Sequence, residues 1–198
     1  MTKVLFLPGA GGSATFWHPV ATELGIERTA IFFSWPGLGA EPHDDRVRGI
    51  DDLVAMVIAE LDQPCDLVAQ SLGGLVAIKV ALAFPDKVRR LVLTVTSGGV
   101  PVSDLGGSNW RADYQRAYPD AAAWIMDVQE DLSGDIGRIT SPTLLLWGDA
   151  DPISPPAVGE RLLSLLPNAQ LHIVHGGDHD LAQFHSTEVA RLIADHLG

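Results

Sequence analysis

The stretch that most constrains this chain is Cys65 to Gly74, CDLVAQSLGG. CDLVAQ is a run of strand length, and SLGGLVAIKVALAF continues as a helix of small and aliphatic residues. A strand that passes straight into a helix at Ser71 needs small neighbours, which Ala69, Gly73 and Gly74 provide. Such a turn leaves the Ser71 hydroxyl exposed at the C-terminal end of a sheet, beside the unpaired first amides of the helix. Those are the requirements of a nucleophile.

Strand and helix patterns alternate along the rest of the chain. Lys3–Leu7, Thr29–Phe33, Val88–Val95, Ser141–Trp147 and Ala169–Val174 read as further strands. Ser13–Leu24, about Ile50–Leu61, the run from Ser71 to Phe84 stopped by Pro85, Pro155–Leu166 and about Thr187–Leu197 read as helices. Six strands alternating with helices at short spacing predict an α/β fold, a three-layer α/β/α sandwich with a parallel six-stranded sheet. With 198 residues, 46% of them hydrophobic, the chain has enough apolar mass for one core, so 1–198 is expected to form a single domain. Residues 101–137 interrupt the alternation and read as a small helical insert over the sheet end, with short helices over Trp110–Tyr118 and Ala121–Val128.

Charge narrows the partners. A net charge of -12 argues against nucleic acid or an anionic membrane surface, both of which would repel it. No apolar run approaches the roughly 18 to 20 residues of a membrane span. The short apolar start, MTKVLFLPGAGG, ends at Pro8 with no cleavage pattern, so a cytoplasmic location is expected. Cys65 is the only cysteine, which rules out an intrachain disulfide and a cysteine-rich metal site and suggests a buried apolar role.

In a parallel sheet the loops that follow the strands emerge on one edge and gather residues distant in sequence. Ser71, the acids of Gly148-Asp149-Ala150-Asp151-Pro152 and the histidines of HGGDHDLA, His175 to Ala182, would meet there. A serine hydroxyl is a weak nucleophile without a base; the base must present an unprotonated imidazole nitrogen, and a carboxylate must fix that tautomer. Serine, acid, histidine is one of the known chain orders for this trio. Spacing does not choose between Asp149 and Asp151, nor between His175 and His179. A metal reading of His175, Asp178 and His179 lacks a second converging cluster, so no metal is expected. PGAGG, at Pro8 to Gly12, is neither GxGxxG nor a phosphate loop, and no cofactor is expected. Gly11, Trp17, His18, Trp35, Trp110 and Trp124 are the candidates for substrate-pocket walls; Trp35 is equally suited to packing under its turn, and Trp110, Tyr114, Tyr118 and Trp124 either close a pocket or seal the insert to the body.

Taken together, these motifs resemble the α/β-hydrolase superfamily, in particular its compact members similar to small carboxylesterases and acyl hydrolases. Leu7-Pro8-Gly9-Ala10-Gly11-Gly12 resembles the family's oxyanion loop, with Pro8 where histidine is usual. Trp35-Pro36-Gly37-Leu38-Gly39 resembles the turn after the next strand, with Ser34 in place of aspartate. Ala69-Gln70-Ser71-Leu72-Gly73 resembles the nucleophile elbow, with Ala69 for the first glycine, while Gly148 to Asp151 and Gly177-Asp178-His179 resemble the acid and histidine loops.

The resemblance implies Ser71 as nucleophile, Asp151 as acid, His179 as base and the backbone amides of Ala10 and Leu72 as oxyanion hole. It also implies a reduced cap and no counterpart of the family's first two strands. The expected function is serine hydrolysis of a small-molecule carboxylic ester or thioester through an acyl-enzyme; a catalytically silent binding or interaction protein on the same fold is the alternative.

Overall fold

The computed structural model describes residues 2–26 and 30–198. Its strands are β1 (Lys3–Leu7), β2 (Ala30–Phe32), β3 (Cys65–Gln70), β4 (Val88–Thr94), β5 (Thr143–Gly148) and β6 (Ala169–Val174). They form one parallel sheet in the order β2-β1-β3-β4-β5-β6. Thr29, predicted to open β2, lies outside the described residues.

The helices are α1 (His18–Leu24), α2 (Ile50–Ile58), α3 (Leu72–Ala83), α4 (Arg111–Ala117), α5 (Pro156–Leu165), α6 (Leu181–Phe184) and α7 (Ser186–Leu197). α1 packs on α7 on one face of the sheet, while α2 packs on α3 and α5 lies against β5 and β6. Right-handed crossovers account for this division. The chain moves outward from β1 to β2, then returns past β1 and builds in the opposite direction from β3, so its helices change face. The reversal makes the gap between β1 and β3 the topological switch point, where the loops that follow them diverge and leave a crevice. The loop after β1 is PGAGG, and Ser71 follows β3.

β3 is buried along its whole length, including Asp66, whose carboxylate accepts a two-point bond from Arg89 on β4. Without that partner a charge at this depth would be strongly destabilising. Cys65 is buried, and desolvation pushes its thiol up to about 11, leaving it a protonated, unreactive side chain. α3 has buried residues on every side and no polar stripe, as befits a helix enclosed by the sheet, α2 and the insert.

Two predicted helices come out differently. Ser13–Leu24 divides into a 3₁₀ turn, Ala14–Trp17, and α1, because Pro19 has no N–H to continue a ladder and is suited to opening a new helix. Ala121–Val128 is a 3₁₀ segment, Ala123–Asp127, instead of a helix. Its carbonyls are diverted: the Arg111 guanidinium donates to Met126 O and Val128 O at 2.8 Å each. The insert is also pinned at its front, where Ala122 N donates to Gly37 O at 2.7 Å. No helix of the described residues is long and apolar enough to cross a membrane.

Candidate active site

Ser71 sits at φ 50°, ψ -117°, a conformation that side chains other than glycine seldom adopt. The surroundings hold it there. Ser71 N donates to Thr94 O, Gly74 N donates to Ser71 O, and the Thr96 hydroxyl donates to Ser71 O at 2.6 Å. The same hydroxyl accepts from Gly98 N at 2.9 Å, fixing the end of β4 under the turn. Space is equally tight. A Cβ on Gly73 would stand 2.5 Å from Pro8 O, and one on Gly74 would stand 2.4 Å from Thr96 Oγ1. Ala69, by contrast, fits within the buried strand, so the missing first glycine of the motif leaves the turn intact.

The loops after β5 and β6 meet beside it. His179 Nε2 lies 2.9 Å from Ser71 Oγ, and His179 Nδ1 lies 2.8 Å from Asp151 Oδ2. The Asp151 side chain is fully buried and the His179 side chain is 20% exposed. Asp151 Oδ1 also accepts from Ile153 N at 2.8 Å, which sets the plane of the carboxylate. Asp149 faces elsewhere: it bonds His175 Nδ1 and Gly176 N at 2.6 Å each, and those bonds draw its carboxyl below its ordinary range. His175 is 99% exposed, so the second pair fastens the two loops on their outer side, away from Ser71. Gly148 and Gly177 let those loops touch, since a Cβ on Gly148 would stand 2.0 Å from Gly177 O.

The loop after β1 is built by aromatic donors. Trp17 Nε1 donates to Leu7 O at 3.0 Å, Trp35 Nε1 to Pro8 O at 2.7 Å and the Tyr114 hydroxyl to Ala10 O at 2.8 Å. Gly12 N closes a turn on Gly9 O, and Trp35 N takes Gly12 O. The carbonyls of Leu7, Pro8, Gly9, Ala10 and Gly12 are thereby all held, whereas the N–H groups of Ala10 and Leu72 have no acceptor among the described residues. Two free amides at the mouth of the crevice, one from this loop and one from the start of α3, are a means of binding a developing negative oxygen.

Several predicted pocket walls take other places. Trp17 and Trp35 have no exposed surface, so they scaffold the β1 loop and cannot line a pocket. Trp124 lines a hollow of about 210 Å³ with Gly49, Ile50 and Glu130, and none of Ser71, Asp151 and His179 lines it. His18 is exposed and sits edge-on to Phe32 at 4.9 Å between ring centroids. Trp110 is half-buried and packs edge-on against Tyr114. Gly11 is exposed at the tip of the β1 loop. Among the described residues no cluster of three or more metal-ligating side chains occurs.

Gln70 and Thr96 escaped the sequence reading. Gln70 Nε2 donates to His179 O at 3.1 Å while its Oε1 abuts Gly9, so one buried amide spans the histidine loop and the β1 loop. A glutamine and a threonine carry no spacing signal when their partners lie 25 to 109 residues away.

Comparison with known proteins agrees with this architecture. Residues 4–192 match the model of the alpha/beta hydrolase family. The pimeloyl-[acyl-carrier protein] methyl ester esterase of Neisseria meningitidis serogroup B / serotype 15 (strain H44/76) is 27% identical, over 98% of this chain and 92% of its own. That alignment runs over 241 positions against the 198 residues here, so the relative carries segments this chain lacks, consistent with a reduced cap. The poly(3-hydroxyalkanoate) depolymerase of Ectopseudomonas oleovorans is also 27% identical, over 89% of this chain and 78% of its own. Among solved structures, a thermophilic esterase from Thermogutta terrifontis superposes with a TM-score of 0.81 at 20% identity, covering 100% of this chain and 89% of that one. With a family match running almost from end to end, the chain belongs to the alpha/beta hydrolase family.

Proposed function

We propose that the protein is a serine hydrolase that cleaves a small, uncharged carboxylic ester or thioester through an acyl-enzyme intermediate. The observation that carries this reading is the unbroken chain of contacts from buried Asp151 through His179 to Ser71. His179 Nε2 takes the hydroxyl proton as Ser71 Oγ attacks the ester carbonyl, while Asp151 holds the other ring nitrogen protonated and stabilises the imidazolium. The carbonyl oxygen becomes an oxyanion between the amides of Ala10 and Leu72, where each donor contributes about 3 to 4 kcal/mol to the transition state. Collapse expels the alcohol or thiol with the proton from His179. Water, deprotonated by the same imidazole, then releases the acid and frees Ser71. Esterase and depolymerase activities named for relatives are in keeping with this chemistry.

A fluorophosphonate tests the mechanism directly, because Ser71 Oγ would displace fluoride from phosphorus and add a fixed mass. One label per chain is expected on wild type and none on S71A, read by intact mass. Labelling absent from folded wild type, or equal in S71A, overturns the proposal and favours a silent scaffold.

Charge supports an uncharged acyl group. The two arginines of the insert are engaged, Arg111 with backbone carbonyls and Arg116 with Asp113, so neither is free to clamp an anion. Acids surround His179 instead. The carboxyl of Asp180 is pushed up by desolvation, with the nearby charges of Asp178 and Asp151 adding to it against the pull of His179. A dimethyl dicarboxylate is therefore expected to react roughly tenfold faster in kcat/KM than its monomethyl acid, with the gap narrowing as salt screens the field. Equal rates at low salt would remove charge as a selector.

A further inference from the structure

An oxyanion amide is not aimed by its own residue alone. Each N–H shares one rigid plane with the carbonyl of the residue before it, so whatever holds that carbonyl also orients the amide. For Ala10 the carbonyl is Gly9 O, held by Gly12 N at 3.0 Å, a main-chain donor. For Leu72 it is Ser71 O, and there a side chain takes part. Gly74 N donates to Ser71 O at 2.9 Å, and the Thr96 hydroxyl donates to it at 2.6 Å. A carbonyl cannot donate, so the hydroxyl proton points at Ser71 O while its oxygen accepts from Gly98 N at 2.9 Å.

The chain is bent to bring that hydroxyl there. Val95 is fully buried at φ 42°, and apart from Ser71 it is the only residue other than glycine with positive φ among the described residues. A β-branched side chain is rarely found in that region, so the surrounding structure imposes it. Val95 N is anchored on Leu146 O at 3.1 Å, and the bend carries Thr96 from the end of β4 to the start of α3, where it fills the space that a Cβ on Gly74 would need. The two outliers thus follow neighbouring strands, β3 and β4, and one hydrogen bond joins the turns they make. Thr96 has no exposed surface, so water does not compete for that bond.

We propose that Thr96 is a positioning residue: its hydroxyl fixes the plane of the peptide between Ser71 and Leu72 and, by drawing charge from the carbonyl, makes the Leu72 N–H a stronger donor to the oxyanion. The Thr96 proton and the Leu72 N–H act at opposite ends of one polarisable amide, so each bond strengthens the other. As negative charge builds on the substrate oxygen, both bonds tighten, and the transition state gains more than the bound ester does. This rests on Leu72 serving as an oxyanion donor to a Ser71 that attacks, a reading that labelling of wild-type Ser71 tests separately.

Thr96→Val removes the hydroxyl at nearly constant shape, and Thr96→Ser keeps it. Thr143→Val is the matched control: its buried hydroxyl also donates to a main-chain carbonyl, Ser141 O at 3.0 Å, but at the start of β5, the opposite end of the sheet from Ser71. T96V should lower kcat by roughly tenfold with KM little changed, less than the loss of about a hundredfold or more when a donor is removed outright. An aryl trifluoromethyl ketone reads the same interaction at equilibrium. Ser71 Oγ adds to its carbonyl carbon, His179 takes the hydroxyl proton, and the ketone oxygen becomes the anion facing the Ala10 and Leu72 amides. Its inhibition constant should rise roughly tenfold in T96V, stay within about threefold of wild type in T96S and remain unchanged in T143V. Both valine variants should melt lower, T96V the more so because Gly98 N also loses its acceptor. A T96V with wild-type kcat and inhibition constant, a T96S as impaired as T96V, or an equal loss in T143V would each overturn the assignment. Should T96V not fold, T96A carries the same expectation, and failure of both where T143V folds makes the hydroxyl a stability element and overturns the assignment as well. If wild type labels with fluorophosphonate while T96V behaves as wild type, the positioning role falls and the serine mechanism stands.

Discussion

Asp151→Asn should lower kcat about 10⁴-fold, the scale expected when the acid of such a trio becomes an amide, whereas Asp149→Asn should cost less than about fivefold. The two acids are two residues apart and chemically identical, so their surroundings decide. Asp151 is fully buried, 2.8 Å from His179 Nδ1, with its other oxygen held by Ile153 N. An asparagine there turns an N–H₂ toward Nδ1, or leaves the ring's own N–H with a weaker acceptor. In the first case the imidazole proton moves to Nε2, which then donates toward Ser71 and can no longer take its proton. Asp149 is bonded to a histidine that is almost wholly exposed, and solvent replaces most of what that pair supplies. Both variants would be assayed on p-nitrophenyl acetate beside a thermal melt. A loss in D149N equal to that in D151N, with both folded, would mean that the outer pair holds the loops in catalytic register and that burial misidentified the acid.

The contrast between these acids shows where sequence stops informing. The six strands, their parallel arrangement and the Ser71 turn were legible because they rest on local periodicity and on small residues at fixed offsets. Choosing Asp151 over Asp149 required a resemblance, since an alternation of two acids in one loop says nothing about which one faces inward. The tryptophans were ambiguous for a different reason. Trp17 follows the glycine-rich β1 loop and Trp35 precedes the glycines of the next one, positions open to pocket and scaffold alike, and their indole N–H groups are spent on Leu7 O and Pro8 O. A buried carbonyl needs a donor as much as a substrate needs a wall, and the sequence does not distinguish those demands. Arg111 was concealed in the same way, as a cation whose partners proved to be two carbonyls of the insert.

Gly73→Ala should then show how closely the nucleophile turn and the β1 loop depend on each other. Alanine is the better helix former by roughly 0.5 to 1 kcal/mol, so on propensity alone the change would stabilise α3. Its Cβ, however, would lie 2.5 Å from Pro8 O and 2.6 Å from Leu7 O, both backbone atoms with little freedom to retreat. Overpacking of this kind costs about 1 to 3 kcal/mol, enough to outweigh the gain and lower Tm by several degrees. The displaced carbonyls are those that Trp17 and Trp35 hold, and they lead directly into Gly9 and Ala10. A shift of about an ångström between the Ser71 hydroxyl and the Ala10 amide should lower kcat about 10²-fold even in the folded fraction. Gly134→Ala is the matched control, because a Cβ there meets nothing within 4 Å and its φ is not positive. If G73A melts and turns over as G134A does, the close approach of α3 to the end of β1 is not what fixes the geometry. A folded G73A that labels slowly with fluorophosphonate while G134A labels normally would tie the rate of serine attack to the contact between these two elements.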